Sequence, residues 1–452
     1  MAHVERGSKS LAPVDYGLMA GRALVVGLAR SGTAAALLLA RRGWEVVAID
    51  SAEVDAPELE AAGVEVRSPC SDDVPGVDLV VKSPGVPGEA PPVAAARAAG
   101  IPVWSEVELA ARELPNPLIG VTGTNGKTTT TELTAHLLRV GGRDAIACGN
   151  QGTPLSGLVD TVAPDTWLVV ECSSFQLEDA HELRPRGAAL LNIAPDHLDR
   201  HGDLAAYERA KLRLFQCQTA DDLALVPRGV DPPGRANVGH LDEGDAGPAA
   251  AAWTAGGLHL AECGLVIGWD DVPIRGRHNR QNVMAAAALA RHAGLSAADI
   301  AAGLASFPGV PHRLEVVAEI GGVRFLNDSK ATNPEATMAA LDAYPQGVHL
   351  ILGGRAKGTP FGPLAAAARQ GVVRAYLIGE AARQISPALS EEGIPHDECG
   401  TLEVAVARAA GAAGGGEVVL LSPACASFDQ FRGFEHRGDD FRAAVARLRQ
   451  LS

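Results

Sequence analysis

Between Ile119 and Thr130 the chain reads Ile-Gly-Val-Thr-Gly-Thr-Asn-Gly-Lys-Thr-Thr-Thr, an apolar run that breaks into glycines, a lysine and a series of hydroxyls. Those residue types in that order hold nucleotide phosphates. Gly123 and Gly126 let the backbone around Thr124 and Asn125 turn its amides inward on an anion, the helix that follows adds the positive end of its dipole, and Lys127 brings a cation to the outer phosphates. Thr128 or Thr129 then offers a hydroxyl to Mg²⁺. The spacing is the compact Gly-Thr-Asn-Gly-Lys-Thr-Thr form, because Val121 stands where the longer G-x-x-x-x-G-K-[ST] pattern has its first glycine.

Other reactive side chains also follow apolar runs. Glu171 ends the run Trp167–Val170, 44 positions after Lys127, where a carboxylate can meet Mg²⁺ beside bound phosphates. His197 lies in Asp196-His197-Leu198-Asp199 and has the chemistry to bind metal or touch substrate. Lys211 sits in a helical stretch where a salt-bridging lysine is the ordinary answer. Further on, Asn327–Asn333, Gly353–Lys357 and Ser422–Asp429 each come straight after a strand-like run, which assigns all three to one sheet edge and one ligand cleft.

The elements that must position these residues form an α/β protein. Ala23–Gly27, an Ala-rich helix around Ala34–Arg42, Glu45–Asp50 and Asp78–Lys82 alternate as a small doubly wound unit. Its first turn, Gly27-Leu28-Ala29-Arg30-Ser31-Gly32, departs from the dinucleotide fingerprint at Ala29, which disfavours a redox cofactor and leaves another phosphate ester, or plain helix–strand packing, as its purpose. Pro115 and Pro117 mark a first linker, Phe307-Pro308-Gly309-Val310-Pro311 a second. The expected division is an N-terminal extension at 1–20, domains at 21–113 and 114–308, and a third at 309–452 with strands at Val323–Asn327, His349–Leu352, Ala375–Ile378 and Val418–Leu421. Arg228–Ala250, rich in Pro, Gly and Asp, is expected to be a surface excursion.

Composition narrows the function class. A net charge of −15 opposes wrapping nucleic acid, so phosphate binding must be local. Hydrophobic residues make up 47%, yet no uninterrupted apolar run reaches the ~18–20 residues of a membrane span. The first twenty residues lack the apolar core of a secretory signal, and the seven cysteines form no C-x-x-C pair, which fits a reducing cytoplasm without zinc or a disulfide framework.

Taken together, the phosphate loop, Glu171–Glu178, Asp196–Arg200, Gly276-Arg277-His278-Asn279, Pro311-His312-Arg313, Asn327-Asp328-Ser329-Lys330-Ala331-Thr332-Asn333 and Ser422–Phe434 resemble the Mur ligases, from about residue 21 to the C-terminus. The resemblance implies Rossmann-like first and third domains around a central P-loop ATPase-like domain. Within the family it implies the member that joins D-glutamate to UDP-N-acetylmuramoyl-L-alanine through an acyl phosphate, using ATP and two Mg²⁺ sites, as a cytoplasmic monomer. Carried over by position, Thr128 and Glu171 look like ligands of one Mg²⁺, and His197 with a carbamylated Lys211 of the other. Asn279, Arg313, Asp328 and Lys330 resemble adenine-nucleotide contacts or their supports. Arg30, Ser31, Ser51, Ser83, Asn150, Ser173 and Gln176 match nucleotide-sugar positions, and Thr332, Lys357, Ser427 and Phe434 match D-glutamate positions. Ala52 departs from relatives that carry arginine near the uracil, and no Asp-Asn-Pro-Arg stretch supports the diamino-acid-adding step.

Two other readings compete. A folylpolyglutamate synthase-like ligase shares the superfamily but is disfavoured by Asn327–Asn333 and Ser422–Phe434. A catalytically silent nucleotide-binding regulator is opposed by the intact set Lys127, Glu171, His197, Lys211 and Lys357.

Overall fold

The computed structural model describes residues 20–67, 76–243, 250–261, 263–274 and 276–451. Cys70 and all but the last residue of the expected N-terminal extension lie outside them. Two compact units emerge: one takes the chain up to Trp269 together with Asn282–Leu304, and the other takes Asp270–Gln281 with Ala305 to the C-terminus.

The first unit holds two parallel sheets. One runs Glu65–Arg67, Glu45–Ile49, Arg22–Val26, Leu79–Lys82, Val103–Ser105, the order of a doubly wound fold. The other runs Asn237–Gly239, Leu223–Leu225, Gly187–Leu190, Leu118–Thr122, Trp167–Glu171, Ala145–Gly149, also parallel throughout. Every residue of Leu118–Thr122 and Trp167–Glu171 is buried, as expected for central strands covered on both faces. The segment Arg228–Ala250 is more than an excursion: it supplies the edge strand Asn237–Gly239 and the strand Leu241–Glu243, while 244–249 lie outside the described residues. Leu241–Glu243 opens a four-stranded sheet with Ala251–Thr254, Gly257–Leu260 and Gly264–Ile267. Strands this short, with no clear alternation, leave little trace in a sequence.

One apolar cluster continues across the first linker, joining Val25, Leu38, Val107 and Leu109 to Leu155, Leu168 and Leu177. The helix Glu106–Glu113 explains the union. It starts on the Ser105 cap and buries two carboxylates: Glu106 accepts the Ser156 amide, and Glu108 accepts those of His181, Glu182 and Leu183 at 2.8 to 3.1 Å. Burial pushes Glu106 up to about 7. We expect Glu108→Ala to cost about 3 kcal/mol in urea unfolding, since it strands buried amides that lose charge-assisted partners. A loss below about 0.5 kcal/mol would remove this carboxylate from the joint.

The second unit carries the sheet Glu315–Ile320, Val323–Asn327, Val418–Leu421, Val348–Gly353, Val372–Ile378, His396–Gly400, parallel except for its first strand. The strands His396–Gly400 and Glu315–Ile320 add to the four expected from sequence; both are edge strands, only partly buried. The division between the units falls inside the helix Arg277–His292. Among the described residues no helix is long and apolar enough to cross a membrane.

Candidate active site

Strand Leu118–Thr122 delivers the phosphate loop at its C-terminal end. Gly126, at φ +86°, caps the helix Lys127–Val140, and a Cβ there would also run into Asn282 Oδ1, so both conformation and space demand glycine. Asn282 further accepts the Thr130 hydroxyl at 3.3 Å. The loop is pinned from the neighbouring strand end: the Asn125 amide donates to Asn192 Oδ1 at 2.9 Å, the Thr124 amide to the Asn192 carbonyl, and the Thr124 hydroxyl to the Ala194 carbonyl. Thr128 is half-buried; Thr129 is buried with its hydroxyl unpartnered.

Two lysines meet on this loop. Lys127 Nζ donates to the carbonyls of Gly123 and Thr124 at 2.9 and 2.8 Å. Lys211, buried on the helix Leu204–Leu212, donates from Nζ to the same Gly123 carbonyl at 2.9 Å and lies 4.4 Å over the Tyr207 ring. Burial first, and then the neighbouring Lys127 charge, pull Lys211 down to about 7. The flanking Arg209 and Arg213 are not the cause; Arg213 turns away to the carbonyls of Leu177 and Ala180.

Glu171 is buried at the end of its strand. Asn150 donates its side-chain amide to Glu171 Oε1 at 2.9 Å, while Oε2 has no partner. A buried carboxylate oxygen left without a donor suits a hard cation. No group of three His, Cys, Asp or Glu gathers as a metal cage among the described residues. His197 stands 3.5 Å from Asp196 Oδ2, 4.9 Å from the Phe175 ring centroid, and at φ +52°. Holding a non-glycine residue there costs about 1–3 kcal/mol, a strain that persists only where the surroundings enforce it.

The residues matched to nucleotide-sugar positions divide. Arg30 and Ser31 open the helix Arg30–Arg41, and Ser51 is exposed beside Asp50. Ser83 is buried and gives its hydroxyl to the Gly27 carbonyl at 2.7 Å, which ties the first turn. A Cβ on Gly32 would collide with that same carbonyl, so the Gly27–Gly32 turn serves close helix–strand packing. Ser173 and Gln176 form a capping box on the short helix Ser174–Leu177.

In the second unit, three strand ends place their loops side by side. Lys357 Nζ lies 3.2 Å from Thr332 Oγ1, Arg355 and Ala426 exchange backbone hydrogen bonds, and the Ser329 hydroxyl donates to the Phe434 carbonyl. Ser427 is buried within the same loop set. Lys330 Nζ is 5.5 Å from the Phe434 ring. Asp328 accepts the Ser422 hydroxyl at 2.8 Å and the Leu314 amide at 3.2 Å, and burial lifts its carboxyl to about 7. Arg313 lies in the adjoining turn, where His312 and Leu314 take positive φ. Asn279 is buried near the start of its helix; the side chains of Arg277 and His278 lie outside the described residues.

Sequence reasoning missed Arg437. It is fully buried on the helix Phe434–Leu451 and donates to the carbonyls of Ser329, Cys425 and Gly353 at 2.8, 3.1 and 3.5 Å and to the Ser329 hydroxyl at 3.0 Å, holding all three strand-end loops together. Burial lowers it to about 10. A helical arginine gives no signal of such a role. Asn192, Asn282 and Tyr207 were also missed, although Asn192 does follow an apolar run.

Residues 121–290 match the family model of the Mur ligase middle domain and 312–425 that of the Mur ligase glutamate ligase domain. The chain is 45% identical to a UDP-N-acetylmuramoylalanine–D-glutamate ligase of Myxococcus xanthus, over 94% of this chain and 98% of the relative. The chain belongs to the Mur ligases. A ligase of the same name from Anaeromyxobacter dehalogenans is 46% identical over 93% of this chain and 96% of its own. Among solved Mur ligases, the UDP-N-acetylmuramate-alanine ligase of Thermotoga maritima shares the fold, with a TM-score of 0.59 and 18% identity over 96% of this chain and all of that one. FolC of E. coli shares it as well, at a TM-score of 0.54 and 19% identity over 75% of this chain and 92% of that one. The fold therefore does not choose between the proteins that share it, whereas identity along almost the whole chain to ligases of one name does.

Proposed function

We infer that this Mur ligase joins D-glutamate to UDP-N-acetylmuramoyl-L-alanine at the expense of ATP, in peptidoglycan precursor synthesis. The observation that carries the reading is the 45% and 46% identity, over 94% and 93% of the chain, to two UDP-N-acetylmuramoylalanine–D-glutamate ligases; Lys127 and Lys211, each 2.9 Å from the Gly123 carbonyl, support it. Lys127 offers a fixed cation to arriving phosphate charge, while burial and that same cation hold the Lys211 amine down to about 7. The γ-phosphoryl group passes to the alanyl carboxylate, the D-glutamate amine attacks the resulting acyl phosphate, and phosphate leaves as the amide forms. Such transfer asks the protein for position and charge more than for covalent help.

Mg²⁺ is the fitting cation: Thr128 and Glu171 would hold one ion, and His197 with a carbamate on Lys211 a second. It would neutralise phosphate charge in the transfer. Nucleotide-sugar contacts are assigned to Arg30, Ser31, Ser51, Ser83, Asn150, Ser173 and Gln176, adenine-nucleotide contacts or supports to Asn279, Arg313, Asp328 and Lys330, and D-glutamate contacts to Thr332, Lys357, Ser427 and Phe434. Of the nucleotide-sugar set, the buried Ser83 hydroxyl is already engaged by Gly27 and fits a supporting part better than direct contact. The lobes 21–113, 114–308 and 309–452 would take sugar nucleotide, ATP and amino acid in turn, in a cytoplasmic monomer.

Phosphate release measured with ATP, Mg²⁺, UDP-N-acetylmuramoyl-L-alanine and D-glutamate, leaving each out in turn, tests the reading. Turnover with a folate in place of the nucleotide sugar would defeat it. Lys357→Ala should raise KM for D-glutamate by about 10-fold or more while leaving that for ATP near wild type, because a charge-assisted contact to a carboxylate is worth roughly 1.5–3 kcal/mol. The reverse pattern would move the amino-acid pocket elsewhere.

A further inference from the structure

The strained His197 caps a helix of only four residues, Leu198–His201, whose leucine is 39% exposed. So short a helix has no stability of its own, and little apolar packing fixes it. Its position comes from two side chains. His201 Nε2 meets the Ser174 hydroxyl at 3.0 Å and its ring stacks on Phe175. Arg200, with its side chain only 12% exposed, donates to the Pro84 carbonyl at 3.0 Å and the Val86 carbonyl at 2.7 Å, lies 3.4 Å from Glu178 Oε2, and covers the Phe175 ring at 4.1 Å.

Behind Arg200 stands a second buried cation. Lys82, the last residue of strand Leu79–Lys82, reaches the Val86 carbonyl at 3.5 Å, Glu178 at 3.4 Å and Asp179 at 3.1 Å. Arg200 and Lys82 thus share one carbonyl and one carboxylate. The carbonyls belong to the loop after the strand end that carries Ser83. A guanidinium fork can serve two carbonyls of one loop together, which a lysine ammonium on a single flexible stem cannot do with the same fixed geometry.

We propose that Arg200, backed by Lys82, is a positioning residue that locks the turn Asp196–His201 to the loop Ser83–Val86, so that the nucleotide-sugar strand end and His197 move as one body. The catalytic meaning rests on the function assigned above; the lock itself does not. The test compares Arg200→Lys and Arg200→Ala with wild type by amide hydrogen exchange and by steady-state kinetics on the full chain. Both variants should exchange faster over residues 195–203 and 84–89 and lose about 10²-fold in kcat, with KM for ATP within about twofold, because a displacement near 1 Å is enough for such a loss. Lysine should not rescue. Wild-type kcat or unchanged exchange in Arg200→Lys would overturn the proposal, as would a rise in exchange across the whole unit together with lost ATP affinity, which would make Arg200 a fold-stabilising residue only. A wild-type chain without ligase turnover would count against the assigned function, and the exchange data would still decide the lock.

Discussion

Lys127→Ala lowers kcat about 10²–10³-fold at saturating ATP, the expected loss when a fixed cation facing developing phosphate charge is removed. Lys127 is held over the loop by the Gly123 and Thr124 carbonyls, so its ammonium is preorganised rather than recruited from solvent. A second consequence separates this role from simple binding. Lys127 is one of the charges that depress Lys211, so its removal should let the Lys211 ammonium titrate at a higher pH. The pH profile of residual turnover should shift to the alkaline side. Wild-type turnover in the alanine variant would refute the assignment, and an unshifted profile would uncouple the two lysines.

Lys211→Ala should be equally damaging for a different reason. Burial and Lys127 hold its amine at about 7, so near neutrality a large fraction is the neutral nucleophile that CO₂ requires. A carbamate keeps one N–H for the Gly123 carbonyl it now meets and turns a cation into an oxygen-bearing anion suited to Mg²⁺. Millimolar short-chain carboxylate should therefore restore part of the activity of Lys211→Ala, and Lys211→Arg should stay inactive. Activity of the wild type in CO₂-depleted buffer should fall and return on adding bicarbonate, with a carbamate carbon visible by NMR when the bicarbonate is ¹³C-labelled. Full activity of the arginine variant in depleted buffer would end the carbamate role. The sign of the stability effect follows from the same shift: between about 7 and the ordinary lysine value the unfolded chain binds a proton that the folded chain does not. The unmodified wild type should therefore gain stability relative to Lys211→Met as pH rises through that window.

Much of this protein was legible before any coordinates. Gly123, Gly126 and Lys127 announce a phosphate loop because the backbone conformation and the cation are local properties of a few adjacent residues. The strands Val323–Asn327 and Val418–Leu421 have the bounds expected from the sequence, and Glu171 closes the strand expected to end in it. Near-full-length identity to D-glutamate-adding ligases agrees with the family read from the ordered motifs.

Other features depend on residues that are distant in sequence and carry no local mark. Lys211 in its helix looks like any lysine between arginines; only the fold buries it against Gly123, 88 positions away, and desolvation together with Lys127 pulls its amine down to about 7. Arg437 reads as a surface arginine until the helix Phe434–Leu451 packs it under Ser329 and Cys425. Ser83 has the composition of a ligand contact, but the fold spends its hydroxyl on Gly27. Sequence determined the phosphate chemistry and the family, since both reside in short segments whose geometry is nearly independent of the rest of the chain. Tertiary structure alone decided which charges are dehydrated and which oxygens are left without donors, because burial is a property of the whole packed chain.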